Sequence, residues 1–79
     1  MLGRLEIVWI NTPEAPPKYR LVFNPFVANG GACENRVLPG NRALRGHLAG
    51  IGIKESDQII ATLEESGRWL SEELDLDGV

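Results

Sequence analysis

The sequence predicts one small α+β domain, in which an N-terminal β-hairpin or three-stranded antiparallel meander is followed by a helical hairpin. Two patterns carry this prediction. β-branched and aromatic residues occur in short runs near the N-terminus, as is typical of strands. From residue 56 onward the apolar residues instead recur every three or four positions, as is typical of an amphipathic helix. A chain of 79 residues fits a single domain, so we assign residues 1–79 to one unit.

The first strand is predicted over residues 5–10. One of its faces holds Leu5, Ile7 and Trp9, and the other holds Glu6, Val8 and Ile10. Because both faces are largely apolar, we expect at least part of the second face to be covered by a helix or by another subunit.

Two breaks separate the predicted strands. The segment Asn11–Lys18 holds three prolines in eight residues and is predicted to be a stiff connecting loop. The second strand begins at about Tyr19 and lasts until Pro25 interrupts its ladder, and residues 26 and 27 can continue it beyond a bulge. The Asn-Gly-Gly sequence at 29–31 is a turn signal, and it predicts a second hairpin that leads to a short third strand at 36–38.

Two helices complete the prediction. The first is short, is capped by Asn41, and ends at Gly50, which has the form of a left-handed C-cap. The second is predicted to be long and acidic and to run from Ser56 to Leu74. Gly67 lies within it and could equally end the helix, with residues 68–74 forming a separate element; we prefer a continuous helix because the apolar spacing keeps its phase on both sides.

Charge is distributed unevenly along the chain. Residues 1–50 hold six basic and three acidic side chains, a balance of +3, whereas residues 51–79 hold two basic and eight acidic ones, a balance of −6. The acidic half can face a basic surface of the same domain, of a second copy or of another partner, or it can be a solvated face. Cys33 is the only cysteine, which excludes an internal disulfide and fits a reducing compartment. No run approaches the roughly 20 apolar residues that a bilayer requires, so we expect a cytoplasmic protein without membrane contact.

The apolar seam of the second helix is the main candidate for a binding surface. Ile59 and Trp69 widen the seam to which Leu63 and Leu70 belong, and a small sheet covered by two helices is not expected to bury all of it. We therefore predict that a partner binds Ile59, Leu63, Trp69 and Leu70. A two-fold homodimer is the commonest arrangement for such a surface, and another protein is the alternative partner. The whole seam can also pack on the chain's own sheet, in which case it needs no partner.

Catalysis is expected to be absent. Cys33 follows a glycine-rich turn and His47 could serve as its base, but their spacing matches no nucleophile motif. The same two residues are the only Cys and His, too few for a tetrahedral zinc site. We predict no enzyme activity, no metal and no cofactor. Arg42 and Arg45 lie in the first turns of the first helix, where they can bind an anion or remain solvated.

A second class of function is nucleic-acid binding by the basic N-terminal half, which includes the strands and the start of the first helix. Arg4, Lys18 and Arg20 lie in or beside the predicted strands, and Trp9 and Tyr19 are candidate stacking platforms. The helical hairpin resembles a helix-turn-helix only in outline, because its second helix is acidic and repels phosphates. We therefore prefer a non-catalytic, self-associating protein-binding module, and keep a nucleic-acid-associated protein as the alternative.

Overall fold

A computed structural model describes residues 2–26 and 34–75. It contains four strands in one antiparallel sheet and two helices, so the predicted α+β class is confirmed. The elements are β1 (Leu2–Thr12), β2 (Ala15–Pro25), β3 (Glu34–Pro39), α1 (Gly40–Gly50), α2 (Ser56–Ser66) and β4 (Arg68–Asp75). The turn predicted at 29–31 and the cysteine at position 33 lie outside the described residues.

The strands lie in the order β3-β2-β1-β4. β1 and β2 form a long hairpin whose register runs from Gly3 opposite Pro25 to Thr12 opposite Ala15. β3 pairs with the free side of β2, and β4 pairs with the free side of β1. β1 is therefore a central strand, and its second neighbour is the last strand along the described chain.

The hairpin between β1 and β2 is tighter than the sequence predicts. The prediction of a loop over Asn11–Lys18 is wrong, because only residues 13 and 14 form the turn and strand pairing resumes directly after them. Pro16 and Pro17 together lie opposite Asn11, so the ladder has a bulge there. β3 pairs with β2 only beyond these prolines, so neither has to donate a hydrogen bond to β3.

Both helices pack on one face of the sheet, which we call the inner face. Alternate residues of β1 and β2 are buried there together with one side of each helix. The buried cluster consists of Leu5, Ile7, Tyr19, Leu21, Phe23, Leu44, Leu48, Ile53, Ile59, Ile60 and Leu63. Its margin is formed by Trp9, Leu38, Ile51, Trp69 and Leu74. The hydrophobic core of the described chain therefore lies on one side of the sheet.

The second helix ends much earlier than the sequence predicts. The preferred prediction of one continuous helix over 56–74 is wrong, and the alternative of a separate element after Gly67 is correct, because α2 stops at Ser66 and β4 follows. Gly67 has φ +77°, a left-handed conformation that glycine adopts without steric cost, and its N–H donates to the Leu63 carbonyl at 2.7 Å. The Gly67 carbonyl accepts a hydrogen bond of 2.9 Å from the Trp9 N–H. Gly67 thus ends the helix and begins the pairing of β4 with β1.

α1 ends at Gly50 as predicted, but its caps differ from the prediction. Its N-cap position is Pro39, and Asn41 makes no capping hydrogen bond. The side-chain oxygen of Asn41 instead accepts a hydrogen bond from the Tyr19 hydroxyl, which ties α1 to β2. The left-handed residue that follows α1 is Gly52, with φ +88°, and not Gly50.

Candidate functional site

The candidate site is the face of the sheet that points away from the helices, which we call the outer face. Side chains alternate along a strand, so the positions between the buried residues of β1 and β2 belong to this face. The outer face comprises Leu2, Arg4, Glu6, Val8 and Ile10 of β1, Lys18, Arg20, Val22 and Asn24 of β2, Asn35 and Val37 of β3, Arg68 and Leu70 of β4, and Phe26 just after β2. At its corner, the exposed Glu72 and Glu73 of β4 lie opposite Arg4, where the β1–β4 register shifts. No described element packs over it, because α1 and α2 both lie on the inner side.

Strand register arranges the outer face in rows that cross the sheet. One central row consists of Val37, Arg20, Val8 and Arg68. The next consists of Asn35, Val22, Glu6 and Leu70. Aliphatic and charged side chains are therefore mixed across the centre of the face and are not separated into a core and a rim.

The outer face holds the large apolar side chains that are most exposed in the described chain. Leu2, Phe26, Val37 and Leu70 expose 55%, 52%, 55% and 42% of their area. Phe26 lies beside Leu2, because its N–H donates to the Leu2 carbonyl at 2.9 Å and so extends the β1–β2 ladder. A single exposed apolar residue is ordinary. Here four lie on one sheet face, with half-buried valines of β1 and β2 between them, and such apolar surfaces are typical of interaction sites.

Three basic side chains of the outer face have no acidic partner among the described residues. They are Arg4, Lys18 and Arg20. Arg68 differs from them, because it forms an ion pair with Glu6 across the β1–β4 pairing. The unpaired cations therefore lie on the two central strands, beside the aliphatic side chains.

The four residues predicted to bind a partner do not form one surface. Ile59 and Leu63 are only 1% and 0% exposed and belong to the inner core. Trp69 is half-buried at the margin of the same core, whereas Leu70 lies on the outer face. Their spacing suggested one helix, but in a strand Trp69 and Leu70 are on opposite sides of the sheet. Of the four, Leu70 is the residue that the structure leaves accessible.

The two arginines predicted to bind an anion have different surroundings. Arg45 forms an ion pair with Asp57, which links α1 to α2, while Arg42 is exposed. Anion binding by this pair stays a prediction, and it requires Arg45 to exchange the Asp57 carboxylate for the ligand. On the same helix, the Nδ1 of His47 lies 3.5 Å from the Nη1 of Arg36. Burial, and to a smaller extent the charge of Arg36, lower the pKa of His47.

Both aromatic residues predicted as stacking platforms lie on the inner side. Tyr19 is buried, and its hydroxyl donates to Asn41. Burial raises the pKa of this hydroxyl, with a smaller contribution from the carboxylate of Glu64. Trp9 is half-buried, and its indole N–H has no hydrogen-bond partner within the described residues. Neither ring is presented on the outer face for a base to stack on.

Leu2 and Phe26 are outer-face residues that were not among the predicted site residues. The predicted first strand began only at Leu5, and Phe26 was placed in a continuation of the second strand beyond Pro25 with no role in a site. Alternation was the signal that could have found them. Each lies three positions from a residue on the inner face, Leu5 for one and Phe23 for the other, and an odd number of steps reverses the face.

Within residues 2–26 and 34–75, no three His, Cys, Asp or Glu side chains converge as metal ligands would. Neither helix described there is long and apolar enough to cross a bilayer. Comparison of the chain with protein-family models, with curated proteins and with solved structures gives no match.

Proposed function

We propose that this chain is a non-catalytic protein-binding module whose binding surface is the outer face of the sheet. The observation that supports the proposal is the set of exposed apolar side chains on a face that no described element covers: Leu2, Phe26, Val37 and Leu70. An antiparallel sheet can face water on one side, but that side is then mainly polar. An exposed face with this much apolar surface favours a partner that buries it.

Two kinds of side chain contribute differently to such binding. Full burial of one aliphatic or phenyl side chain is worth roughly 1.5–3 kcal/mol relative to full exposure, so side chains that are already about half covered gain about half of that. Arg4, Lys18 and Arg20 contribute orientation and association rate more than affinity. The apolar side chains are thus the expected source of affinity, and the cations the expected source of selectivity for acidic groups.

Nucleic-acid binding is the second candidate, and the unpaired cations of β1 and β2 are the observation in its favour. Two features weigh against it. Glu6 lies on the same face, and the exposed Glu72 and Glu73 lie opposite Arg4 in the β1–β4 register, so acidic groups accompany the cations. The aromatic platforms that single strands use are absent from the described part of the face, apart from Phe26 at its end.

Site-specific photocrosslinking in the source cells tests the proposal. The photoreactive amino acid benzoylphenylalanine replaces Leu70 on the outer face in one variant and Ala61, an exposed position of α2, in a matched control. We expect a discrete protein adduct from position 70 and none from position 61. The adduct is analysed by its mass on a denaturing gel and by peptide sequencing.

The possible outcomes separate the two candidate functions. Adducts from position 70 that contain only nucleic acid and disappear on nuclease treatment would favour the second candidate. If position 70 gives no adduct, or gives the same protein adducts as position 61, the outer face is not a protein-binding surface and the proposal fails. A variant with the photoreactive residue at Val37 repeats the test at the other edge of the face.

A further inference from the structure

The charge pattern of the outer face indicates which protein it fits. We infer that the partner is a second copy of this chain, bound face to face through the outer sheet face. This inference rests on the proposed function and adds the identity of the partner.

The two ends of the outer face differ in charge. The basic end, nearer the turn between β1 and β2, holds the unpaired Lys18 and Arg20, together with Arg68, which is paired with Glu6. At the other end, the β1–β4 register shifts between Gly3 and Leu5, so that two consecutive exposed carboxylates, Glu72 and Glu73, lie opposite Arg4. The face thus has a basic end and an acidic corner, separated along the strands.

A face of this kind is complementary to itself. When two copies meet across a two-fold axis that lies between the sheets and runs across the strands, the strand direction is reversed and β4 stays over β4. The acidic corner of each copy then lies over the Arg68 end of β4 in the other copy, about 10 Å to the side of Lys18 and Arg20. A uniformly basic face would instead repel its own copy, and a uniformly acidic partner would be repelled by Glu72 and Glu73. The separation of charge therefore favours an identical partner over a partner of a single charge sign.

The size of the face agrees with a weak dimer. Four strands about 4.8 Å apart and nine residues of β1 at about 3.4 Å each give roughly 500 Å² per copy. Two copies then bury about 1,000 Å², which is at the lower limit of specific interfaces. Val8, Val22, Val37 and Leu70 alternate with charged and polar side chains, so the two faces would meet in a sheet-on-sheet contact that mixes apolar and ionic contacts. We expect dissociation in the micromolar range.

Sedimentation velocity of the purified full chain over a dilution series from about 1 to 500 μM is the first test. We expect a dimer at the upper end that dissociates on dilution, and a dissociation constant that rises with salt because the attraction between copies is partly ionic. Leu70→Glu is expected to leave the chain folded, since Leu70 is exposed, and to weaken the dimer at least roughly tenfold. Circular dichroism establishes that the variant is folded.

Charge reversal tests the two-fold arrangement itself. One variant, Lys18→Glu with Arg20→Glu, makes both ends of the face acidic, and a second, Glu72→Lys with Glu73→Lys, makes both ends basic. Each variant alone brings like charges together, so we expect each to be monomeric at concentrations where the wild type is a dimer. Mixed in equal amounts, the two variants are expected to form a 1:1 dimer. Glu64→Lys with Glu65→Lys on α2 changes the charge by the same amount away from the face. This control variant is expected to dimerise as the wild type does.

Three outcomes would overturn the inference. The first is a monomeric wild type at all concentrations. The second is a dimer that Leu70→Glu does not weaken, which would place the contact elsewhere, for example at the free edge of β3. The third is failure of the mixed charge variants to associate although both are folded. A monomeric wild type that still gives an adduct with a different protein from position 70 would overturn the inference and leave the proposed function standing.

Discussion

The two faces of the sheet are built from the same strands and differ by one residue of register. On the inner face, Ile7, Tyr19 and Phe23 are buried under the helices. On the outer face, the neighbouring positions Val8 and Arg20 remain partly or fully accessible. Because one strand supplies both faces, a single-residue change can be chosen to affect stability or association separately. The inner face therefore holds the fold together, while the outer face keeps apolar area that the fold does not use.

The largest change in the free energy of unfolding is expected for a leucine of α2 that packs on the inner face, and a leucine of the outer face is its control. Leu63→Ala removes a side chain that is fully buried against the inner face, and we expect it to lower the free energy of unfolding by about 3–4 kcal/mol. Leu70→Ala on the outer face is expected to lower it by less than about 0.5–1 kcal/mol. Urea unfolding followed by circular dichroism measures both, at protein concentrations low enough to keep the chain monomeric. Equal losses in the free energy of unfolding for the two variants would mean that the outer-face leucine stabilises the fold as much as the buried one.

A glycine in β1 tests how tightly the inner face is packed, and its substitution is expected to have an intermediate effect on the free energy of unfolding. A Cβ on Gly3 would lie 2.5 Å from the Asn24 carbonyl oxygen and 2.5 Å from the Phe23 ring, so Gly3→Ala forces backbone or core to move. We expect a loss of roughly 1–3 kcal/mol in urea unfolding. The matched control is Gly46→Ala on α1, where nothing lies within 4 Å of the added Cβ and the helix should gain about 0.5–1 kcal/mol. A neutral Gly3→Ala would mean that the inner face is loosely packed at this end.

The smallest effect on stability is expected from the protonation of His47, which lies beside Arg36 at the margin of the inner side. The pKa of His47 is lower in the folded chain than in the unfolded chain, so the unfolded chain takes up the proton first as pH falls. We therefore expect stability to decrease modestly as pH is lowered from about 7.5 through the ordinary histidine value of 6.5. The urea midpoint between pH 7.5 and 5.5 measures the effect. His47→Gln should remove this part of the pH dependence, and Arg36→Gln should reduce it; an unchanged slope in His47→Gln would assign it to other groups.

The sequence patterns predicted the residues of the inner face better than those of the outer face. Alternation placed Leu5 and Ile7 on one face of β1, and both are buried together. Four-residue spacing likewise fits the buried Leu44 and Leu48 of α1. These predictions succeed because burial under a helix depends on a local period of two or of about four residues, which can be read within a short window.

The prediction of one continuous helical seam is wrong because the apolar spacing of the helix happens to continue in phase into the strand. Leu63 belongs to a helix and Leu70 to a strand, yet seven residues separate them, as in two helical turns. What decides the conformation after Gly67 is pairing with β1, which lies about sixty residues earlier in the chain. Strand propensity depends on such distant neighbours more than helix propensity does, so a local pattern does not reveal it. The same pairing decides which side of the sheet Leu70 occupies, so it also separates Leu70 from the other residues predicted to bind a partner.

The pairing of β4 with β1 has a consequence for synthesis of the chain on the ribosome. The hairpin of β1 and β2 is complete early, but the second side of β1 stays unpaired until β4 has been made, about sixty residues later. At roughly 5–20 residues per second this takes several seconds, during which the backbone of β1 exposes a row of unpaired hydrogen-bonding groups. Neighbouring ribosomes on one messenger carry copies of the same β4. A β4 supplied by another copy satisfies the same hydrogen bonds, so exchange of this strand is the misassembly to which the order of translation exposes the protein.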